Sequence, residues 1–184
     1  MEIFDIVDEK GNPTGQTIER SLAHANGVRH RTVHIWIARE VMGKWQVLLQ
    51  KRAMTKDSFP GRYDTSSAGH IQAGDELESA MRELKEELGI AAMPEQLQFV
   101  DTFRIQYEKE FHNKIFKDNE IAFVYVYTGE VDIDKITVQE EELECVEWFG
   151  LEDVYKECLA HNQKFCVPVK GLEIAREYLV KKYS

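Results

Sequence analysis

Basic charge, cysteine and long apolar runs are all scarce in this chain of 184 residues. Lysine and arginine number 23 against 33 acidic residues, a formal net charge of −10, which argues against a surface built to grip nucleic acid or anionic lipid. A cationic or metal-bridged partner suits that charge better. The longest apolar run, IAFVYVY (Ile121 to Tyr127), is far too short to span a bilayer, and the opening MEIFDIVDEKG is acidic where a signal peptide would be basic. The expectation is a soluble cytoplasmic protein with no membrane or nucleic-acid partner. Cys145, Cys158 and Cys166 are odd in number and lack CxxC spacing, so each is read as a small buried residue and not as a disulfide or zinc partner. No internal repeat, low-complexity segment or linker interrupts the chain.

What is present is the composition of an ordinary folded protein, 43% hydrophobic and 30% charged, at a length that suits one domain over residues 1–184. Met1 to Asp8 alternates before the turn EKGNPTG, and Gln16 to Ile18 supplies a return strand, so residues 1–28 are expected to carry an N-terminal hairpin extension. Arg31 to Glu40 and Lys44 to Arg52 are apolar and β-branched around Met42-Gly43, a second hairpin signal. The short extended piece TSSA follows the loop KDSFPGRYD, and Gln98 to Tyr107 and Ile115 to Thr128 read as strands. The tail, 151–184, turns helical over Leu151 to Ala160 and Gly171 to Lys182. Strands in the middle with helices around them predict an α/β fold, an α/β/α sandwich on a mixed sheet.

The chemistry concentrates in GHIQAGDELESAMRELKEELGI, Gly69 to Ile90. At helical spacing Ala80, Met81, Leu84 and Leu88 share an apolar face, while Glu83, Glu86 and Glu87 gather on another at i, i+3 and i+4. Like charges so placed repel by a few tenths of a kcal/mol per pair, and the last two sit near the helix C-terminus, where the macrodipole also disfavours anions. A solvated acidic face is one reading. The other is a metal site, because three hard oxygen donors beside a backbone carbonyl are what Mg²⁺ or Mn²⁺ requires, with Arg82 as an internal counter-ion and Gly89 ending the helix.

The run Arg82 to Ile90 resembles the second half of the Nudix box, Gx5Ex7REUxEExGU, and matches each fixed position there. The first half departs from the pattern. Gly69 is followed after five residues by Asp75 instead of glutamate, and the spacing to Arg82 is one residue short; Glu76 is an alternative to Asp75. The resemblance implies a metal-dependent hydrolase that cleaves a phosphoanhydride in a nucleoside diphosphate derivative or similar small diphosphate. It implies Glu83, Glu86 and Glu87, with Gly69, as metal ligands and Arg82 as the residue orienting them. Metal can neutralise a diphosphate and lower the pKa of attacking water, so no covalent nucleophile is needed.

HANGVRHRTVHIWI, LLQKR, KDSFPGRYDTSSAGH and KDNEIAF further resemble Nudix proteins related to type 1 isopentenyl-diphosphate isomerase. That resemblance implies a second metal site at His24, His30, His70 and Glu120, with Asp118 beside them. Any one of these histidines alone reads more readily as a structural or surface group, Asp118 and Glu120 read also as a solvated turn, and His34, within an apolar strand, is read as structural. The isomerase needs a cysteine before the Gly-His pair, where this chain has Ala68, which favours hydrolysis. Glu142 is a candidate general base, with Glu140 and Glu141 left open; Lys51 and Arg52 are candidates for substrate phosphates. Phe59, Tyr63 and Phe111 are either base-stacking or packing residues. The isomerase and a non-catalytic nucleotide-binding module stay as alternatives, and a homodimer stays open.

Overall fold

The computed structural model of the chain describes residues 1–77 and 80–182, with Ala80 described by its backbone alone. Glu78 and Ser79 of the expected loop-and-helix segment, the Ala80 side chain of its apolar face, and Tyr183 and Ser184 at the tail lie outside the described residues.

The expected N-terminal hairpin forms from β1 (Ile3–Val7) and β2 (Pro13–Glu19). A helix that the sequence did not announce follows it, α1 (Arg20–Asn26), closed at Gly27, which is left-handed at φ 69° and donates its N–H to the Ala23 carbonyl. So short a helix shows no periodicity and is marginal alone; its packing on β8 holds it. Two long hairpins then build the sheet. β3 (His30–Val41) and β4 (Lys44–Arg52) turn at Met42-Gly43, where φ is 50° and 73°, as a two-residue primed turn requires. β7 (Leu97–Phe111) and β8 (Lys114–Tyr127) turn in the same way at His112-Asn113 and run further than the sequence pattern suggests.

The strand order is β5-β4-β3-β8-β7, where β5 is Tyr63–Asp64; β6 (Ser67–His70) also pairs with β3, and β9 (Leu143–Gly150) with β4. β9 went unnoticed in the sequence because glutamates at 144 and 147 mask its apolar alternation. Only β3 and β8 pair in parallel among the described strands, and they set His30 opposite Glu120.

β3 is buried continuously from His30 to Ala38, as a strand between two layers must be. Trp36 and Ala38 face α3 (Leu151–Leu159) and α4 (Val169–Lys182). Val33, Ile35 and Ile37 join Leu84 and Leu88 of α2 (Ala80–Leu88) on the other side. This is the mixed-sheet α/β/α sandwich expected. The sheet forks at β3, whose first half pairs with β6 (Thr32 to Ile35) and whose second half pairs with β4 (Ala38 to Val41). Ser66 fills the fork, its Oγ accepting from the Ile37 N–H at 2.8 Å and donating to the Leu48 carbonyl. No helix among the described residues is long and apolar enough to cross a membrane.

Candidate functional site

A cavity of about 480 Å³ lies at the fork, lined both by the carboxylates of α2 and by polar residues at the start of β3 and β8. Its α2 wall follows from the helix geometry. Leu84 and Leu88 are fully buried and anchor the helix to the sheet, while Gly89, at φ 68°, ends it. That anchoring turns Glu83 toward the β6 backbone, where an added Cβ on Gly69 would overlap the Glu83 carboxylate; glycine is needed for this approach. Glu87 is buried and accepts a hydrogen bond from Ser67 Oγ at 2.7 Å. Glu86 is more exposed, 3.8 Å from Arg82 Nε, and the Arg82 guanidinium also donates to Asp75 at 2.8 Å. Glu142 reaches the same cavity, paired with Lys56; Glu140 and Glu141 are exposed and do not line it.

Glu83 and Glu87 lack enough positive charge beside them to stay fully ionised at neutral pH. Burial, with repulsion from Glu86 next and Arg82 opposing, pushes Glu83 up to about 7. Burial also raises Glu87 to about 8 against the Ser67 hydrogen bond, with Glu83 and Glu142 adding to the rise. Buried acids gathered in a polar cavity without a matching cation are the environment a divalent ion relieves.

The second wall is assembled from three strands and a helix. His24 comes from α1, His30 from the start of β3, His70 from the end of β6, and Asp118 and Glu120 from β8. The ligating atoms of His24, His30 and His70 lie within 4.8 Å of one another, and so do those of His30, Asp118 and Glu120. Glu120 Oε1 is 3.8 Å from His30 Nε2 and 3.6 Å from His70 Nε2, and His24 Nδ1 is 3.7 Å from Asp118 Oδ1. The His30 Nδ1 lies 2.9 Å from the Val28 carbonyl. A carbonyl only accepts, so Nδ1 carries the hydrogen, and Nε2 is the ring nitrogen turned to the cluster. Both ring nitrogens of His24, Nε2 of His30 and of His70, and Oδ1 of Asp118 are buried with no hydrogen-bond partner among the described residues. Groups left so are uncommon and costly in a protein interior unless a ligand takes them. The donor set suits a transition metal.

Protonation favours the same use. Burial first, then the neighbouring His30, lowers His24 to about 4, and burial takes His70 well below the ordinary histidine range. Both are neutral imidazoles, the form that ligates metal. Burial alone would raise Glu120, but the facing His30 and His70 hold it low, while burial and that neighbouring carboxylate raise Asp118.

Several expectations need correction. His34, read as structural, lines the cavity with Nε2 4.0 Å from Glu120 Oε2, and Thr32, unnoticed, donates to that oxygen at 3.0 Å. The signal was present: His30, Thr32 and His34 alternate along one strand and so share a face. Phe4 was also missed; it is fully buried and stacks on His30 and His70 at centroid distances of 4.8 and 4.7 Å. Lys51 does not line the cavity. Strand alternation separates it from Arg52, and it pairs with Glu144 at 2.8 Å, whereas Arg52 lines the cavity beside Asp64 at 3.2 Å. Glu76 is exposed and outside the lining, so the Arg82 partner is Asp75. Phe59 faces the cavity with Phe111 packed on it at 5.0 Å, while Tyr63 belongs to the core beside Phe149 and Phe165. Ala68 lines the cavity as well, and so does Cys166, whose thiol burial pushes upward.

A mixed-sheet sandwich whose glycine-led helix bears this Arg-Glu-Glu-Glu set defines a Nudix fold. Residues 28–167 match the family model of the NUDIX domain, and the chain belongs to the Nudix family. It is 37% identical over 142 residues to an uncharacterized Nudix hydrolase of Clostridium acetobutylicum, covering 77% of this chain and 66% of that protein. Nudix hydrolase 3 of Arabidopsis thaliana is 39% identical over 170 residues, 91% of this chain and 21% of that protein. The chain thus matches less than two thirds of the length of either relative. Among solved structures, DR0079 from Deinococcus radiodurans is similar at a TM-score of 0.64 and 18% identity, covering 86% of this chain and 90% of that one. The NUDIX domain of Shewanella oneidensis NrtR, complexed with ADP ribose, has a TM-score of 0.57 at 18% identity and covers 88% and 99%. An Ap4A hydrolase of C. elegans reaches 0.52 at 21%, covering 82% and 98%. These likenesses concern the fold.

Proposed function

We propose that the chain is a cytoplasmic, divalent-metal-dependent Nudix pyrophosphohydrolase that cleaves a phosphoanhydride in a nucleoside diphosphate derivative or similarly small diphosphate. One observation carries this: Glu83, Glu86 and Glu87 stand intact on α2 beside Gly69, with Glu142 across the same cavity. Those three glutamates and the Gly69 carbonyl would hold Mg²⁺ or Mn²⁺. The ion supplies charge neutralisation at the diphosphate and a lower pKa for water. Arg82, clamped by Asp75, keeps the glutamates oriented. Glu142 accepts the proton of the attacking water, and Arg52 grips phosphate oxygens, for which its guanidinium fork suits. ADP ribose and Ap4A, named for two fold neighbours, both contain phosphoanhydrides, which supports the substrate class without selecting a substrate.

His24, His30, His70 and Glu120, with Asp118, form a second site for a transition metal in this proposal. Their convergence is also what favours the second reading, an isopentenyl-diphosphate isomerase. Ala68 opposes that reading, since alanine moves no proton. The residues before 28 form an extension to the matched domain within one folded unit. The test is a panel of nucleotide sugars, ADP-ribose, nucleoside triphosphates and isoprenoid diphosphates, read for released phosphate or nucleotide with and without Mg²⁺. Mg²⁺-dependent release from at least one supports hydrolysis; an allylic product from isopentenyl diphosphate, with no hydrolysis anywhere, overturns it; no turnover on any member favours a binding module.

A further inference from the structure

The loop between Gly69 and α2 is one residue shorter than the family pattern, and yet Glu83 and Glu87 are held closely against β6. Part of its support comes from outside the matched domain, which begins at residue 28. β1 lies along this loop: the Ala73 N–H donates to the Ile3 carbonyl at 2.8 Å, and Phe4 and Gln72 form an antiparallel bridge. Alternation in β1 sends neighbouring side chains to opposite sides. Phe4 packs on the histidines, and Asp5 turns to the loop.

Asp5 Oδ2 accepts from the Gly74 N–H at 3.0 Å and from Arg31 Nη2 at 3.2 Å. The same Arg31 nitrogen donates to the Asp75 carbonyl at 3.2 Å, and the Asp75 carboxylate holds Arg82 at 2.8 Å, next to Glu83. Both side chains of the Asp5–Arg31 pair are largely buried, at 13% and 10% exposed, so solvent screens the pair less than it would a surface salt bridge. A continuous path of charge-assisted bonds therefore runs from β1 through the loop to the helix. We propose that Asp5 is a positioning residue for the metal-binding glutamates: it fixes residues 72–75 of the shortened loop and, through Arg31 and Asp75, the orientation of Arg82 on α2. This rests on the hydrolase proposal.

The test is amide hydrogen exchange of residues 80–88 during a Mg²⁺ titration of the native chain, Asp5→Ala and Asp5→Asn. Mg²⁺ should protect these amides in the native chain. Asp5→Ala should raise the half-protecting Mg²⁺ concentration by about ten-fold, the scale of lost support behind metal ligands, while β3 and β8 stay protected. Asp5→Asn keeps an acceptor for Gly74 without the charge for Arg31, so its midpoint should fall between. An unchanged midpoint in both variants overturns the role of Asp5 alone. So does loss of protection throughout β3 and β8 in both, which would make Asp5 a general folding residue. Absence of Mg²⁺ protection in the native chain defeats the hydrolase proposal and this inference with it.

Discussion

The two walls of the cavity hold acids in opposite ways. On α2, Glu83 and Glu87 are raised to about 7 and 8 because they are buried with one another and lack sufficient counter-charge. On β8, Glu120 is as buried as Glu87 but sits among His30, His34 and His70, and is held low instead. The first wall uses one helix and hard oxygen donors; the second gathers imidazoles and carboxylates from four separate elements. Burial alone does not decide a carboxyl group's state. What faces it does, and the difference underlies the proposal of different ions for the two walls: Mg²⁺ or Mn²⁺ on the helix, a softer transition metal among the histidines.

The largest effect expected is on the helix wall. Glu86→Gln or Glu87→Gln should lower turnover on the best substrate by about a hundred-fold or more, since roughly 3 kcal/mol of lost transition-state stabilisation is two powers of ten. The fold should persist, and the melting temperature without metal should hold or rise, because glutamine suits a helix and removes one like charge from the cluster. Full Mg²⁺-dependent activity in both variants would remove the helix from the mechanism.

The histidine wall should respond differently. Protein purified without chelators should carry a transition metal that His70→Asn or Glu120→Gln loses, while Mg²⁺ protection of α2 remains. Metal analysis under several metal supplies decides this; an empty native protein in every case returns these residues to a structural role.

A pH series sharpens the contrast. Glu83 and Glu87 have folded values raised from 4.5, so the stability they contribute is fully present below about 4.5 and is lost as pH rises through about 7 to 8. The metal-free melting temperature should therefore decline across that window, and Glu87→Gln should flatten the decline. Mg²⁺ binding displaces those protons, so its affinity should climb over the same interval. A flat profile for both quantities would mean the acids are ionised without metal. The smallest effect is expected at Ala68. Ala68→Cys should produce no efficient isomerisation of isopentenyl diphosphate, because proton transfer to carbon also needs an acid on the opposite face and a pocket closed to water. Substantial allylic product from that variant would show that the cavity already holds the remaining isomerase machinery.

Legibility in the sequence follows the same division. The helix wall was readable because its ligands lie within one turn, and a local motif with a glycine at each end carries their spacing. The sheet layers were readable from the apolar strands around Met42-Gly43 and at 115–128. The histidine wall depends on the parallel register that sets His30 opposite Glu120, which no local pattern specifies. Its residues came from resemblance, and His34 was set aside because its neighbours are apolar, although a half-polar strand face was there in the alternation. Asp5 and Phe4 were illegible for a related reason: their partners lie some seventy or twenty-six residues away, at Gly74 and His30.

The most direct test of two separate metal centres on one cavity is anomalous diffraction from crystals of the native chain grown with Mn²⁺. Density at Glu83, Glu86 and Glu87 and, separately, among His24, His30, His70 and Glu120 is the predicted result. Mn²⁺ at the histidines with none on the helix, even at saturating metal, would contradict it.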